Sequence, residues 1–296
     1  MVSLYTHQDS NIAKTWVLMG VFFAVVMAVG WVASWYFEAP VLLVVAVVLA
    51  LGMNLFSYWN SDKVAIALSG AKPAGESEHP ELHNLVENLS ITAGLPKPRV
   101  YIIDDPAPNA FATGRDPKHA AVAVTTGLLQ VLEKSELEGV VAHELSHIGN
   151  RDILVSTVAV VLVGFATLVS DFFLRATLWG GRGSNDNKNP VLMIVAVAFL
   201  VLAPILATLL QLAISRKREF LADASGALLT RYPEGLAGAL RKISAYQAPM
   251  HKASNATAHL FISNPFGPAA AKSGLAKLFM THPPMEERIA ALIGNR

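Results

Sequence analysis

The sequence predicts a mainly α-helical membrane protein, with four transmembrane helices and a polar α+β domain divided into two pieces. Hydrophobic residues make up 53% of the 296 residues and charged residues only 15%, whereas a typical soluble protein has about 25% charged residues. Four long stretches contain no charge, and strand-like segments occur only in the polar remainder. These observations together place much of the chain in lipid.

The first two uncharged stretches, residues 15–37 and 39–61, are each long enough to cross the hydrocarbon core of a bilayer, which is about 30 Å thick. Glu38 and Pro40 lie between them and leave room only for a tight turn. Residues 1–61 are therefore predicted to form an N-terminal transmembrane hairpin.

The other two uncharged stretches, 153–170 and 189–215, predict a second transmembrane hairpin over residues 153–215. The alternative is that they are core helices of a globular domain, but such long apolar runs are hard to place in a domain this small. Three basic residues at 216–218 directly follow the last stretch. Because basic residues favour the cytoplasmic side, we expect both termini and both polar segments to face the cytoplasm.

The polar remainder consists of residues 62–152 and 216–296, which we expect to form one domain in two parts. Its first part contains two segments rich in β-branched residues and two with the periodicity of a helix. The predicted strands are 99–103 and 120–126, and the predicted helices are 81–92 and 135–148.

A pair of histidines in the second predicted helix indicates a metal site. His143 and His147 are four residues apart, so one face of a helix presents both imidazoles, with Glu144 placed to act on a metal-bound water. The chain has no cysteine, so any metal must be held by nitrogen and oxygen ligands. A surface helix with unrelated polar residues is the alternative, but the residues around the motif are apolar.

The third protein ligand must come from elsewhere in the chain, because a catalytic zinc usually has three. Glu219 and Asp223 are four residues apart, so a ligating carboxylate and one that orients a ligand histidine would share a helix face. A solvated acidic face that balances residues 216–218 explains this pair about equally well. Asp152 is a candidate to orient His147, or to cap the third transmembrane helix. The later histidines, which are further candidate ligands, are His251, His259 and His282.

Several motifs, in order along nearly the whole chain, resemble those of the HtpX-type membrane zinc metalloproteases of prokaryotes, which are gluzincins related to the CAAX prenyl endopeptidases. The matching segments are 109–114, 122–129, 143–147, 215–224 and 281–284, followed by Arg288. The resemblance implies a cytoplasmic zincin-like domain at the inner membrane, and a role in stress response and protein quality control.

The same resemblance implies roles for individual residues. Glu219 would be the third ligand of a single Zn²⁺, with Asp223 supporting a ligand histidine. His282 would donate to the developing oxyanion, with Arg288 fixing either His282 or the substrate.

The predicted function is therefore a zinc-dependent endopeptidase, in which Glu144 accepts a proton from the attacking water and returns it to the leaving amine. Its partners would be unfolded or membrane protein substrates and the lipid bilayer; the net charge of +1 gives no reason to expect nucleic acid. Asn109 and the strand near 122–126 are expected to line the cleft, where a substrate would add to a sheet edge. An ordinary turn residue is the alternative for Asn109.

Both ligand helices adjoin predicted transmembrane helices, so we expect them to be near-continuations of those helices. The zinc would then lie within about two helical turns, roughly 10 Å, of the lipid boundary.

Two alternatives to this function come from other classes. One is a non-catalytic, zinc-binding scaffold or transporter. The other is a site-2-type intramembrane protease, against which the charged residues at 133–138 argue.

Overall fold

The structure, a computed structural model, describes residues 4–36, 38–162, 164–165, 216–254, 256–267 and 283–294. Within these residues the protein is mainly helical, with two long apolar helices at the N-terminus and a mixed α/β domain after them. The predicted class is confirmed at this level. The number of transmembrane helices is not, because most of the predicted second hairpin lies outside the described residues.

The N-terminal hairpin consists of α1, Leu4–Tyr36, and α2, Val41–Ser69. In the described part of the chain, these two helices are long and apolar enough to cross a membrane. They pack closely, since a Cβ added at Gly30 would lie 2.2 Å from the Cβ of Ala46. Large apolar side chains such as Trp31 point outward and are exposed, as expected of a surface that contacts lipid.

A four-stranded sheet forms the centre of the mixed domain, with strand order β1-β2-β4-β3. The central pair, β2 and β4, is parallel, and both outer strands are antiparallel to their neighbours. The strands are β1, Lys72–Pro73, β2, Arg99–Ile103, β3, Ala110–Thr113, and β4, Ala121–Thr125. Both predicted strands are thus confirmed, whereas β1 and β3 were not predicted as strands.

Seven further helices surround the sheet or join it to the hairpin. They are α3, Pro80–Ala93, α4, Thr126–Val131, α5, Lys134–Gly149, α6, Asp152–Leu162, α7, Arg216–Thr230, α8, Pro233–Ala245, and α9, Met285–Ile293. Short 3₁₀ turns cover Pro117–His119 and Ala258–Leu260. Both predicted helices correspond to observed ones, α3 and α5.

Helix α5, which carries the histidine pair, packs against the sheet and against α3, α7 and α8. A capping box between Glu133 and Glu136 satisfies backbone donors at its start, and Lys242 of α8 lies 2.7 Å from the Glu136 carboxylate. Residues 140, 141, 145 and 148 join the main apolar core with α3, α8 and the sheet. Close packing, capping and an ion pair therefore fix this helix against its neighbours.

The chain turns sharply where α5 meets α6, with an angle of 83° between the two helices. Arg151 lies in the corner with a φ of 61°, a left-handed conformation that ends the first helix. The prediction that the next helix nearly continues α5 is therefore wrong, because the axis of α6 points in a different direction. The two are adjacent in sequence, but they diverge in space.

Helix α6 is almost completely buried, with only Ser156 partly exposed. Its Leu154, Val158 and Leu162 join an apolar cluster with both helices of the hairpin. The hairpin and the polar domain thus meet on the two sides of one buried helix.

The close approach of α5 and α8 makes a prediction about stability. A Cβ added at Gly139 would lie 2.7 Å from the backbone nitrogen of Leu236, so the two helices would have to move apart. We expect Gly139→Ala to lower the free energy of unfolding by about 1–3 kcal/mol, measured by denaturation in detergent. Gly149→Ala on the same helix is the control, because its nearest contact would be an ordinary 3.8 Å. Equal stability of the two variants would contradict the prediction.

Candidate metal centre

His143 and His147 lie one turn apart on α5 and direct their rings toward the same point. Their ring centroids are 4.7 Å apart with the planes perpendicular, and the two Nε2 atoms are 3.2 Å apart. His143 is buried and His147 nearly so. The predicted helical spacing therefore brings two imidazole nitrogens together.

Glu219, in the first turn of α7, completes a group of three possible ligands. Its Oε2 lies 3.8 Å from Nε2 of His143 and its Oε1 lies 3.6 Å from Nε2 of His147. All three ligand atoms lie within 4.8 Å of one another. A tetrahedral zinc with bonds of about 2.0–2.1 Å separates its ligand atoms by about 3.3 Å, so the three residues fit such an ion.

A glycine allows the two ligand helices to approach this closely. Gly226 of α7 faces the backbone of α5, and a Cβ there would lie 3.0 Å from the nitrogen of His143. The side chain of any other residue would therefore press the helices apart, and Glu219 with them.

Each histidine is also bonded to a carboxylate on the side away from the ligand atoms. Nδ1 of His143 lies 2.9 Å from Asp223, and Nδ1 of His147 lies 2.9 Å from Asp152. A proton on Nδ1 that is donated to the carboxylate leaves the Nε2 lone pair for a metal. This geometry supports the orienting roles predicted for Asp223 and Asp152.

Arg288 of α9 lies behind Asp223 and is fully buried. Its Nε and Nη2 donate to the two carboxylate oxygens of Asp223, at 2.8 and 2.6 Å. Burial opposes ionisation of Asp223, but the bonds to Arg288 and His143 outweigh it and hold the pKa of the carboxyl below its usual range. This location supports a positioning role for Arg288, through Asp223, over contact with the substrate, one of its two predicted roles; the other, fixing His282, involves a residue outside the described part of the chain.

Arg218 of α7 has the corresponding place behind Asp152. Its Nη1 lies 3.0 Å from Oδ1 of Asp152, and the side chain is buried. In the sequence this arginine is indicated only as one of the basic residues at 216–218 and as part of the matching segment 215–224. Its direct neighbour Glu219 was the available indication, because residues beside a ligand are often close to the site.

Three carboxylates near His147 oppose the effect of burial on its pKa. Burial disfavours the imidazolium form, but the bond to Asp152 and the charges of Glu219, Asp152 and Glu144 raise the pKa of His147 to about 9. A concentration of negative charge thus surrounds the His147 imidazole and favours a cation beside it.

A cleft lies beside His147, and Glu144 is on its wall. The residues that line it belong to β3, α5, α6, α7 and the segment at 258–260. They are Ala112, Glu144, His147, Asp152, Ile153, Ser156, Arg218, Glu219, His259 and Leu260. Glu144 therefore shares the cleft with two members of the candidate ligand group, as its predicted role requires.

The remaining predicted site residues do not meet at the metal centre. His251 and His259 lie outside the ligand group, and Nε2 of His259 is 3.0 Å from the carbonyl oxygen of Ser156. Asn109 is buried, and its amide bonds the backbone of Ser263, which supports a structural role over contact with substrate. His282 lies outside the described residues.

The expected place for a substrate strand requires a correction. The predicted strand near 122–126 is β4, which pairs with β2 on one side and β3 on the other, so it has no free edge. The edge strand on this side is β3, and the amide of Ile262 donates to the carbonyl oxygen of Ala110 there.

Two histidines and a glutamate around one point, with a second glutamate on the wall of the cleft, define a metal-dependent hydrolase, and the apolar hairpin makes it a membrane protein. Comparison with known proteins agrees with this class. The model of peptidase family M48 matches residues 76–295, and the chain belongs to this family. It is therefore a membrane metalloprotease.

Relatives extend the likeness to the N-terminal hairpin. A protein named Protease HtpX homolog from Thermoanaerobacter pseudethanolicus is 49% identical, over 98% of this chain and 97% of its own. Another of that name, from Tropheryma whipplei strain Twist, is 47% identical over 99% of both chains. The predicted resemblance to HtpX-type proteases is confirmed.

A solved structure shares the fold. The crystal structure of S. mikatae Ste24p superposes with a TM-score of 0.50 at 17% sequence identity, covering 99% of this chain and 67% of that one. At this identity the likeness concerns the fold alone.

Removal of the third candidate ligand gives a direct test of the metal centre. We expect Glu219→Ala to lose stoichiometric zinc, because two histidines alone leave the ion with too few protein ligands. Metal content after dialysis measures this, with Glu234→Ala, an exposed glutamate in the first turn of α8, as the matched control. Full zinc occupancy in Glu219→Ala would show that another residue supplies the third ligand.

Arg288 gives a second test, of stability. Arg288→Met removes the partner of a buried carboxylate, and breaking a buried ion pair costs about 3–5 kcal/mol. We expect a fall of that order in the free energy of unfolding, measured in detergent. The exposed Arg241 on α8 provides the control, since Arg241→Met should change stability by less than about 0.5 kcal/mol. A small effect at Arg288 would mean that the pair contributes little.

Proposed function

We propose that the protein is a zinc-dependent endopeptidase that hydrolyses misfolded or damaged membrane proteins in protein quality control. The observation that carries the proposal is the ligand group of His143, His147 and Glu219, whose atoms lie within 4.8 Å of one another. The two histidines and one glutamate, without cysteine, form a ligand set typical of catalytic zinc. One ion per chain is expected.

In the proposed mechanism, Glu144 carries out the proton transfers. When bound, zinc supplies a Lewis acid that lowers the pKa of water and polarises the scissile carbonyl. The Glu144 carboxylate accepts a proton from the attacking water and later passes it to the leaving amine nitrogen. His282 is proposed to donate a hydrogen bond to the oxyanion, as the family likeness implies.

The edge strand beside the cleft supports a substrate held in extended form. The edge strand β3 contributes Ala112 to the wall, beside Glu144 and Glu219. A chain laid along that edge would be bound through its backbone, which requires an unfolded segment but no particular side chains. Binding of this kind suits an enzyme that removes misfolded proteins. The contact between Ile262 and Ala110 would have to open for it.

Membrane placement supports the choice of substrate. Ile153 and Ser156 of α6 line the same cleft, and α6 packs between the two hairpin helices and the polar domain. We propose a multi-pass protein of the inner membrane with this cleft facing the cytoplasm, as the basic residues at 216–218 favour.

We retain the predicted division of the chain within this proposal. It consists of hairpins at 1–61 and 153–215, with the catalytic domain in two parts, 62–152 and 216–296. The first boundary falls within α2, which runs to Ser69.

The position of α5 argues against an intramembrane protease of the site-2 type. That mechanism requires the histidine-bearing helix to lie in the bilayer, whereas α5 packs against α3, α7 and α8 and joins a core with the sheet. The non-catalytic alternative differs in its need for Glu144, which makes this residue the decisive one to change.

We expect Glu144→Gln to keep its zinc and to lose cleavage by about 10²–10⁴-fold, because an amide cannot accept the proton. The assay uses the full-length protein in detergent with unfolded soluble and membrane proteins, with and without a chelator. Glu138→Gln on the same helix is the matched control, since Glu138 does not line the cleft. Cleavage at the wild-type rate by zinc-loaded Glu144→Gln would exclude the proposed mechanism.

A further inference from the structure

A buried asparagine of the first membrane helix reaches the metal centre. Asn11 of α1 is only 2% exposed. Its Nδ2 donates to the carbonyl oxygen of Asn150 at 3.0 Å and to Oδ1 of Asp152 at 2.6 Å. Its Oδ1 accepts from Nη1 of Arg218 at 3.1 Å. Both amide protons and the carbonyl are thus used, by partners that are distant in sequence.

These partners lie next to the candidate metal ligands His147 and Glu219 and can fix the orientation of both. Asn150 and Asp152 flank Arg151 in the 83° corner between α5 and α6, and the other oxygen of Asp152 lies 2.9 Å from Nδ1 of His147. Arg218 directly precedes Glu219. One side chain therefore contacts the support of one histidine ligand and the neighbour of the carboxylate ligand.

Only an amide can make this set of bonds. The site requires two donors and one acceptor on a short side chain, which asparagine supplies. An aliphatic residue would suit a membrane helix, and it would avoid the cost of burying an amide. The other buried asparagine of the hairpin, Asn54, makes one bond, of 3.3 Å, to the carbonyl oxygen of Met19, and its Oδ1 has no hydrogen-bond partner.

We propose that Asn11 is a positioning residue of the metal centre, through which the first membrane helix sets the affinity for zinc. It holds Asp152 in the orientation that fixes the tautomer and direction of His147, and it holds Arg218 against the same carboxylate. The inference rests on the proposed function, since it takes His147 and Glu219 as ligands. It adds that the hairpin contributes to zinc binding through Asn11.

Loss of a partner that orients a ligand typically weakens metal binding by about 10–100-fold. Asn11→Ala removes the side-chain donor to the Asn150 carbonyl and one of the two donors to Oδ1 of Asp152, so that oxygen is then held by Arg218 alone. We expect the zinc dissociation constant to rise by about 10–100-fold, with a matching loss of cleavage at limiting zinc.

The test compares two asparagines of the same hairpin. Full-length wild type, Asn11→Ala and Asn54→Ala are purified in detergent, and the affinity for zinc alone is measured by competition with a chelator. Thermal unfolding of the zinc-free proteins is recorded alongside. Asn54→Ala should bind zinc like the wild type, whereas Asn11→Ala should not. Wild-type affinity in Asn11→Ala would overturn the proposal, and so would an equal loss in both variants, since that would reveal a general effect of hairpin stability.

A second variant and a double mutant keep the test decisive. Asn11→Leu has a similar branched shape and suits an apolar helix, so it remains informative if Asn11→Ala does not fold. The loss of zinc affinity in the double mutant Asn11→Leu/Asp152→Asn should be smaller than the sum of the losses in the two single mutants, because both changes act through one contact to His147. Additive effects would overturn the proposal.

The outcomes also separate this inference from the function on which it rests. A wild type that binds no zinc, or Glu219→Ala protein that binds it normally, would remove the assigned metal centre and the inference together. Normal behaviour of those two proteins, combined with wild-type affinity in Asn11→Ala, would remove only the role of Asn11.

Discussion

The metal centre depends on two buried carboxylates, each placed between a histidine and an arginine. Asp223 joins His143 to Arg288, and Asp152 joins His147 to Arg218. A carboxylate this deeply buried is stable only when it is paired and hydrogen-bonded. The arginine meets that requirement, and the carboxylate then orients the imidazole. The two chains of contacts are alike, although they come from different parts of the fold.

The topology brings these six residues together around α5. Asp152 is 66 residues from Arg218, and Asp223 is 65 residues from Arg288. Helix α7 therefore supplies a ligand and supports for both histidines, while the corner after α5 and the C-terminal α9 complete the two pairs. The 83° turn at Arg151 is necessary, because it returns Asp152 to the face of α5 that carries His147.

The sequence predicted what depends on local pattern. The strands at 99–103 and 120–126 and the helix that carries His143 follow from the period of their apolar residues, and the spacing of His143 and His147 follows from the helix itself. Spacing alone supported two interpretations of Glu219 equally, a metal ligand and part of a solvated acidic face, and only the family resemblance favoured the ligand. The corner at Arg151, the arginine partners and the edge position of β3 depend on tertiary packing, for which local pattern carries no information.

The hairpin contacts the polar domain through polar side chains that point into the protein. In a soluble protein, by contrast, the polar face of a helix usually points toward the solvent. Asn11 bonds the corner at Asp152, Ser57 donates to a backbone carbonyl of α6, and Asp62 pairs with Arg99 of β2 at 2.6 Å. In lipid such groups are expensive unless they have partners, and here their partners lie in the corner after α5, on α6 and α7, and in the sheet. A simple tether would need none of these contacts. The hairpin is therefore built into the catalytic domain, and the bilayer that holds the hairpin also restrains the elements around the metal centre.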